Sequence, residues 1–362
     1  MNAVSLAGTA LNRSSLVAPR LAGRACFLLF RNAKPGGKIR DVEREVHDRA
    51  VVEELSVNGR RVVTYRWGDG ARPVLLVHGW QSRASRFAAF IPRLEAAGFS
   101  PIGFDAPGHG DSGGRTTTIL EYRETIRLLQ ARYGPFDAAI AHSFGVLAAF
   151  LALRGTLNAA RLVAVAGISD LRYLLDEFCR RLSLNDLLKQ DLRRRIEQDL
   201  FPDTPEIWQR FDATHRREEI TPPILLIHDQ HDATAPITQA HRLKAAYADQ
   251  AQLITTTGLG HRKILNHPTV IDAALDFLTV PAKSLRPSHH HLPNPRTSTE
   301  RQHHHEAQDR SGRISAGRVH GNAGRHPVRA QPEGPAVTVN RPGRRHCLRG
   351  KRRAHTADRR LG

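Results

Sequence analysis

The chain is poor in sulfur. Its three cysteines, Cys26, Cys179 and Cys347, stand far apart in 362 residues. An odd, widely spaced set excludes a disulfide framework and suits a reducing compartment, here read as the cytoplasm. No pair of them has metal-ligand spacing. Long apolar runs are also lacking: no stretch approaches the ~18–20 residues that cross a bilayer. The first residues make a poor signal peptide, because Arg13, Arg20 and Arg24 interrupt their apolar stretches. Residues 1–50 instead read as a helical segment. Within it Leu16–Phe30 suits an amphipathic helix that packs on the domain, with weak peripheral membrane contact as the alternative. No internal repeat is present.

Positive charge is abundant but unevenly placed. The formal net charge is +19, yet residues 283–362 hold 18 Lys+Arg against 5 Asp+Glu. Residues 1–282 are therefore only mildly basic. The tail from about residue 283 is rich in Arg, Pro, Gly, Ser and His and has few large apolar side chains. It cannot bury enough surface to offset chain entropy and is expected to be disordered. It also lacks aromatics on which bases could stack, so no specific nucleic-acid partner is expected. Its triplets His289–His291 and His303–His305 have no carboxylate or thiolate at ligand spacing, and no metal site is assigned.

Between these ends, strand and helix signals alternate. Val51–Val57 and Arg61–Trp67 flank Asn58-Gly59, a hairpin turn signal. Continuous apolar runs follow at Val74–Val77, Pro101–Phe104, Phe136–Ile140, Arg161–Ala166 and Pro223–Ile227, with a strand at Gln252–Thr256. Helical stretches near Ser85–Ala97, Ile119–Tyr133, Val146–Leu151, Thr238–Ala248 and Val270–Leu278 separate them. Such alternation predicts an α/β fold on a parallel sheet in a domain spanning 51–282. The charged stretch 169–220 breaks the alternation and reads as a helical lid over the carboxyl edge of the sheet, where ligands bind in such folds.

The most telling segment is Ala141-His142-Ser143-Phe144-Gly145, a serine between small residues at a strand-to-helix turn. That is the pattern of a nucleophile elbow. Around it stand four further motifs. His78-Gly79-Trp80 follows the first buried strand, and the Trp80 and Phe144 backbone N–H groups could form an oxyanion hole. Phe104–Gly113 is a glycine-rich turn expected to shape the active-site floor without a chemical step. His228-Asp229-Gln230-His231-Asp232 ends a strand. It offers Asp232 to orient an imidazole, with Asp229 and then Asp170 as alternatives. Gly258-Leu259-Gly260-His261 places a histidine on a loop able to reach Ser143 as general base. Leu171, Leu174, Leu175 and Phe178 lie at helical spacing and suit lid core or acyl pocket equally. His142 is expected to point away from the site, and His78 and His109 to hold loops.

The strings VLLVHGW, GFDAPGHGDS, AHSFG, LLIHDQHD and GLGHRKIL make residues 51–280 resemble the α/β-hydrolase superfamily, and within it bacterial esterase and lysophospholipase-like members. The order Ser143, Asp232, His261 matches that superfamily. The resemblance implies an eight-stranded, mostly parallel sheet, a Ser-Asp-His triad and no cofactor. The reaction expected of these residues is cleavage of a carboxylic ester of a small or medium acyl group, in a small-molecule substrate, through an acyl-enzyme. Thioesterase, carbon–carbon hydrolase, acyltransferase and haloperoxidase chemistry fit the same residues. A non-catalytic binder tethered by its basic tail is the reading from another class. Ala141 stands where the elbow usually has glycine.

Overall fold

The computed structural model of the chain describes residues 3–33, 37–280 and 289–291. The chain begins with helices α1 (Ala3–Val17), α2 (Pro19–Arg31) and α3 (Asp41–Asp48). The single helix expected over Leu16–Phe30 is broken at Ala18, because Pro19 cannot donate a helical hydrogen bond and instead starts α2.

Strands β1 (Val51–Val57) and β2 (Arg60–Arg66) form the hairpin, turning at Asn58 and Gly59 with φ of 50° and 74°. Then come β3 (Pro73–Val77), α4 (Ile91–Ala96), β4 (Ser100–Phe104), α5 (Ile119–Tyr133), β5 (Ala138–His142) and α6 (Phe144–Leu153). After β6 (Leu162–Val165), the stretch 169–220, expected as a lid and given that name below, carries α7 (Leu171–Arg181), α8 (Asp186–Arg195) and α9 (Ile207–Arg210). The domain closes with β7 (Ile224–Asp229), α10 (Thr238–Tyr247), β8 (Ala251–Thr256), α11 (Gly260–Lys263) and α12 (Pro268–Thr279). The helix expected near Ser85–Ala97 is split into a 3₁₀ turn at Ala84–Phe87 and α4, with Pro92 in the first turn of α4.

The sheet order is β1-β2-β4-β3-β5-β6-β7-β8-β9. β1 and β2 pair antiparallel, as do β2 and β4, and every later pairing is parallel. The first eight strands are the mostly parallel sheet the sequence predicts. β9 (His289–His291) is an addition: three residues of the tail run parallel to β8, where disorder was expected. The rest of the tail lies outside the described residues.

Side chains alternate across the sheet and build a core on each face. Leu75, Val77, Ala139 and Ala141 join the core under α2, α5, α6 and the lid. Val74, Leu76, Ala138 and Ile140 join the core under α4 and α12. α6 is buried on every side, as its almost wholly apolar sequence requires.

The first two helices dock on the lid. Asn12 Nδ2 donates to the Ser183 carbonyl at 2.8 Å, and the Asn185 N–H donates to Asn12 Oδ1 at 2.9 Å. Phe30 meets Phe178 edge to face, ring centroids 5.2 Å apart. Gly23 permits this closeness: a Cβ there would come within 2.0 Å of Asp191 Oδ2 on α8.

Candidate active site

The parallel strands deliver three side chains to one edge of the sheet. Ser143 follows β5, Asp232 lies three residues beyond β7, and His261 sits in the first turn of α11 after β8. Ser143 has φ 56° and ψ −123°, a conformation that non-glycine residues rarely adopt. It lifts the side chain off the strand end. The turn is tight enough that a Cβ on Gly145 would stand 2.3 Å from the Val77 carbonyl oxygen. Ala141, by contrast, is an ordinary buried residue of β5 paired to Val77 and Ala164. Glycine is therefore obligatory at one flank of the elbow and dispensable at the other.

His261 Nδ1 lies 2.7 Å from Asp232 Oδ2, and its Nε2 lies 2.9 Å from Ser143 Oγ. A carboxylate only accepts, so Nδ1 carries the proton and Nε2 is left to accept from the serine hydroxyl. Asp232 is buried, and burial by itself would raise its carboxyl. The hydrogen bond and charge of His261 and the N–H groups of Ala235 and Thr234 outweigh this and hold it below the usual carboxylate range. Those amides donate to Oδ1 at 2.9 and 2.8 Å.

The two alternative acids are employed elsewhere. Asp229 accepts from Thr256 Oγ1 and the Leu259 N–H, and so ties the histidine loop to β7. Asp170 caps α7 through the Tyr173 N–H and pairs with Arg242. His142 departs from expectation. Its ring packs against that of His261, centroids 4.9 Å apart, and its Nε2–H donates to the His261 carbonyl at 2.9 Å. Burial lowers its pKa to about 3, so it remains a neutral brace.

The segment Gly79–Gln81 is held from below. His78 Nε2 accepts from the Ala106 N–H at 2.9 Å, and His109 Nε2 accepts from the Gln81 N–H at 3.0 Å. Burial lowers the pKa of His78 to about 4 and keeps it neutral for this task. The turn Phe104–Gly113 was expected to shape the site floor, yet none of it lines the cavity. It stands one layer behind, built around buried Asp105. That carboxylate accepts from the Ala84 and Asp111 N–H groups and from the Tyr65 hydroxyl.

Ser143, His261, Trp80 and Phe144 open on one cavity of about 590 Å³. Its walls come from α2 (Leu29, Phe30), from the lid (Leu171, Leu174, Phe178, Phe201) and from the sheet domain (Ile119, Ile168). The stripe serves both uses the sequence left open: Leu174 and Phe178 line the cavity, Leu175 belongs to the buried core, and Leu171 does both. Trp80 lines the cavity, and its ring packs edge to face on Phe144, centroids 5.6 Å apart. Two contributors were missed in the sequence. One is α2. The other is Tyr173, whose hydroxyl donates to the Thr234 carbonyl at 2.6 Å and ties the lid to the Asp232 loop. Among the described residues no group of three or more His, Cys, Asp or Glu could hold a metal ion, and no helix is long and apolar enough to cross a membrane.

Comparison with known proteins places the chain in a family. The model described as "Alpha/beta hydrolase family" fits residues 74–274, more than half of the chain. Two curated relatives from Xylella fastidiosa, each named pimeloyl-[acyl-carrier protein] methyl ester esterase, are similar over 239 residues. The one from strain 9a5c is 26% identical and the one from strain M23 25% identical, covering 56% of this chain and 92% of theirs. A solved structure of lip1 from Acinetobacter baumannii, titled as a candidate lipase, shares the fold at 16% identity. Its TM-score is 0.50, covering 67% of this chain and 96% of that one.

Proposed function

Since the chain belongs to the alpha/beta hydrolase family and is a hydrolytic enzyme, we propose that it cleaves carboxylic esters through an acyl-enzyme on Ser143. The observation that carries this reading is the continuous hydrogen-bonded line Asp232–His261–Ser143, at 2.7 and 2.9 Å. Ser143 Oγ attacks the ester carbonyl carbon while His261 Nε2 takes its proton. Asp232 holds the correct tautomer and stabilises the imidazolium as it forms. The tetrahedral oxygen is received by the N–H groups of Trp80 and Phe144. Phe144 is the first residue of α6, and a first-turn N–H has no acceptor within its own helix. Collapse of the intermediate passes the His261 proton to the departing alcohol and leaves an ester on Ser143. Water, deprotonated by His261, then releases the acid and restores the hydroxyl.

The curated relatives support an ester over other acyl derivatives, since both are named as methyl ester esterases. The apolar part of the cavity wall, with Leu29, Phe30, Leu171, Leu174 and Phe178, suits an acyl chain. The reading is tested with a series of p-nitrophenyl esters of rising acyl length, against Ser143→Ala and Asp232→Asn. Turnover by the wild type, with both variants slower by about ten-thousandfold, is expected. Turnover by Ser143→Ala near the wild-type rate would overturn it.

A further inference from the structure

We propose that the corner between α1 and α2 docks on an anionic lipid surface, and that the ester cleaved is one dissolved in that surface. At this corner Leu16, Val17 and Leu21 are 82%, 88% and 71% exposed. One exposed leucine needs no explanation, but three around one turn form a patch. Arg13, Arg20 and Arg24 are exposed beside them, and residues 1–40 contain no Asp or Glu. The opposite faces of the helices are already used. Ala22, Cys26 and Phe27 are buried, and Asn12 and Ser15 bond to the lid at Ser183 and Asn185. The leucine–arginine face is therefore turned outward while the core beneath it is complete.

The occupant must be both apolar and negative. The tail, with 18 Lys+Arg against 5 Asp+Glu over residues 283–362, has the same sign as the patch and is repelled. A second copy of the patch is repelled for the same reason. A bilayer meets both demands: its acyl boundary takes the aliphatic side chains while its phosphates hold the arginines. Farther along α2, Leu29 and Phe30 line the cavity that holds Ser143, as does Val4 near the start of α1. A helix lying on lipid would thus bring the cavity wall to the surface where long-chain esters dissolve. The substrate half of this proposal rests on the serine hydrolase reading; the docking half does not.

The test uses the full chain carrying Val17→Cys in a Cys347→Ser background. Cys26 and Cys179 are buried, so the introduced thiol takes an environment-sensitive fluorophore. On phosphatidylcholine vesicles containing phosphatidylglycerol, the emission should move to the blue and become protected from iodide; on phosphatidylcholine alone it should not. Co-sedimentation without a blue shift would mean that only the tail binds and would overturn the docking. Absence of co-sedimentation would overturn it too, as would a blue shift without vesicles that grows with protein concentration. The triple variant Leu16→Ser, Val17→Ser, Leu21→Ser should bind these vesicles about tenfold more weakly. It should lose turnover of a vesicle-borne long-chain ester in proportion and keep turnover of a soluble short-chain ester. Equal turnover of the vesicle-borne ester by both proteins would overturn the substrate half. Failure of the wild type to react with any serine-directed probe would overturn the hydrolase reading and leave the docking standing.

Discussion

Ser143 is held at φ 56°, a value that costs a non-glycine residue about 1–3 kcal/mol. The fold sustains that strain by packing α6 against β3, where Gly145 meets the carbonyls of Val77 and His78. Gly145→Ala should therefore destabilise the protein severely, while Ala141→Gly should be tolerated with little change in thermal midpoint; differential scanning calorimetry on both compares them directly. Asp232→Asn should keep the fold and lower kcat by about ten-thousandfold, because the imidazole loses its tautomer and its counter-charge. Asp170→Asn, which disturbs a helix cap and an ion pair with Arg242, should leave kcat nearly unchanged. Equal losses in the two variants would contradict the assignment of the acid. At this scale the sequence was readable wherever a constraint is local. Small residues around Ser143, glycines around His261 and an aspartate just past a strand are visible in a few consecutive letters. His142 was misread because its partner, the His261 carbonyl, lies 119 residues away.

Among the elements, the strands and most helices were legible from continuous apolar runs and turn chemistry, and the helix expected at Ile119–Tyr133 has those same bounds in the structure. What periodicity could not supply was the partner of each surface. α2 reads as an amphipathic helix, but its buried stripe faces α8 and the lid, and only the folded chain brings Leu29 and Phe30 to the cavity. Acyl selectivity is expected to reside there and in α7. Phe178 of α7 joins the two, half-buried against Phe30 of α2. Phe178→Ala should enlarge the cavity and shift kcat/KM toward longer acyl chains by about tenfold relative to short ones, with the ranking read from an ester series. An unchanged ranking would place selectivity elsewhere.

Over the whole molecule, the buried titratable groups set the response to acid. His78 and His142, with pKa values lowered by burial to about 4 and about 3, stay neutral in the folded chain but take up protons in the unfolded one below about pH 6.5. The unfolded state therefore binds more protons, and stability falls as pH drops from about 6.5 toward 4, by up to about 1.4 kcal/mol per pH unit for each histidine. Asp229 and Asp232, despite burial that would raise them, are held below the usual carboxylate range by their hydrogen bonds. Their stabilisation is complete above the unfolded value of about 3.9 and is lost as pH falls through their lower folded values. Thermal midpoints should hence decline through pH 6 to 4 and more steeply below. His142→Gln and His78→Gln, compared with wild type at pH 7.5 and at pH about 5, should narrow the gap between the two conditions. A midpoint flat from neutrality to about pH 4 would contradict this account of the buried histidines. The fold class was legible at this scale because alternating strand and helix signals admit few arrangements. The docking of the first helices was not, because it depends on contacts such as Asn12 with Ser183 that no local pattern encodes.

The most direct test of the central claim is labelling of the purified full chain with a fluorescent fluorophosphonate, alongside Ser143→Ala, Asp232→Asn and His261→Ala. Rapid labelling of the wild type, none of Ser143→Ala, and strongly slowed labelling of the other two is the predicted result. A well-folded wild type that stays unlabelled, or a Ser143→Ala variant that labels as fast as the wild type, would contradict the assignment of Ser143 as the nucleophile.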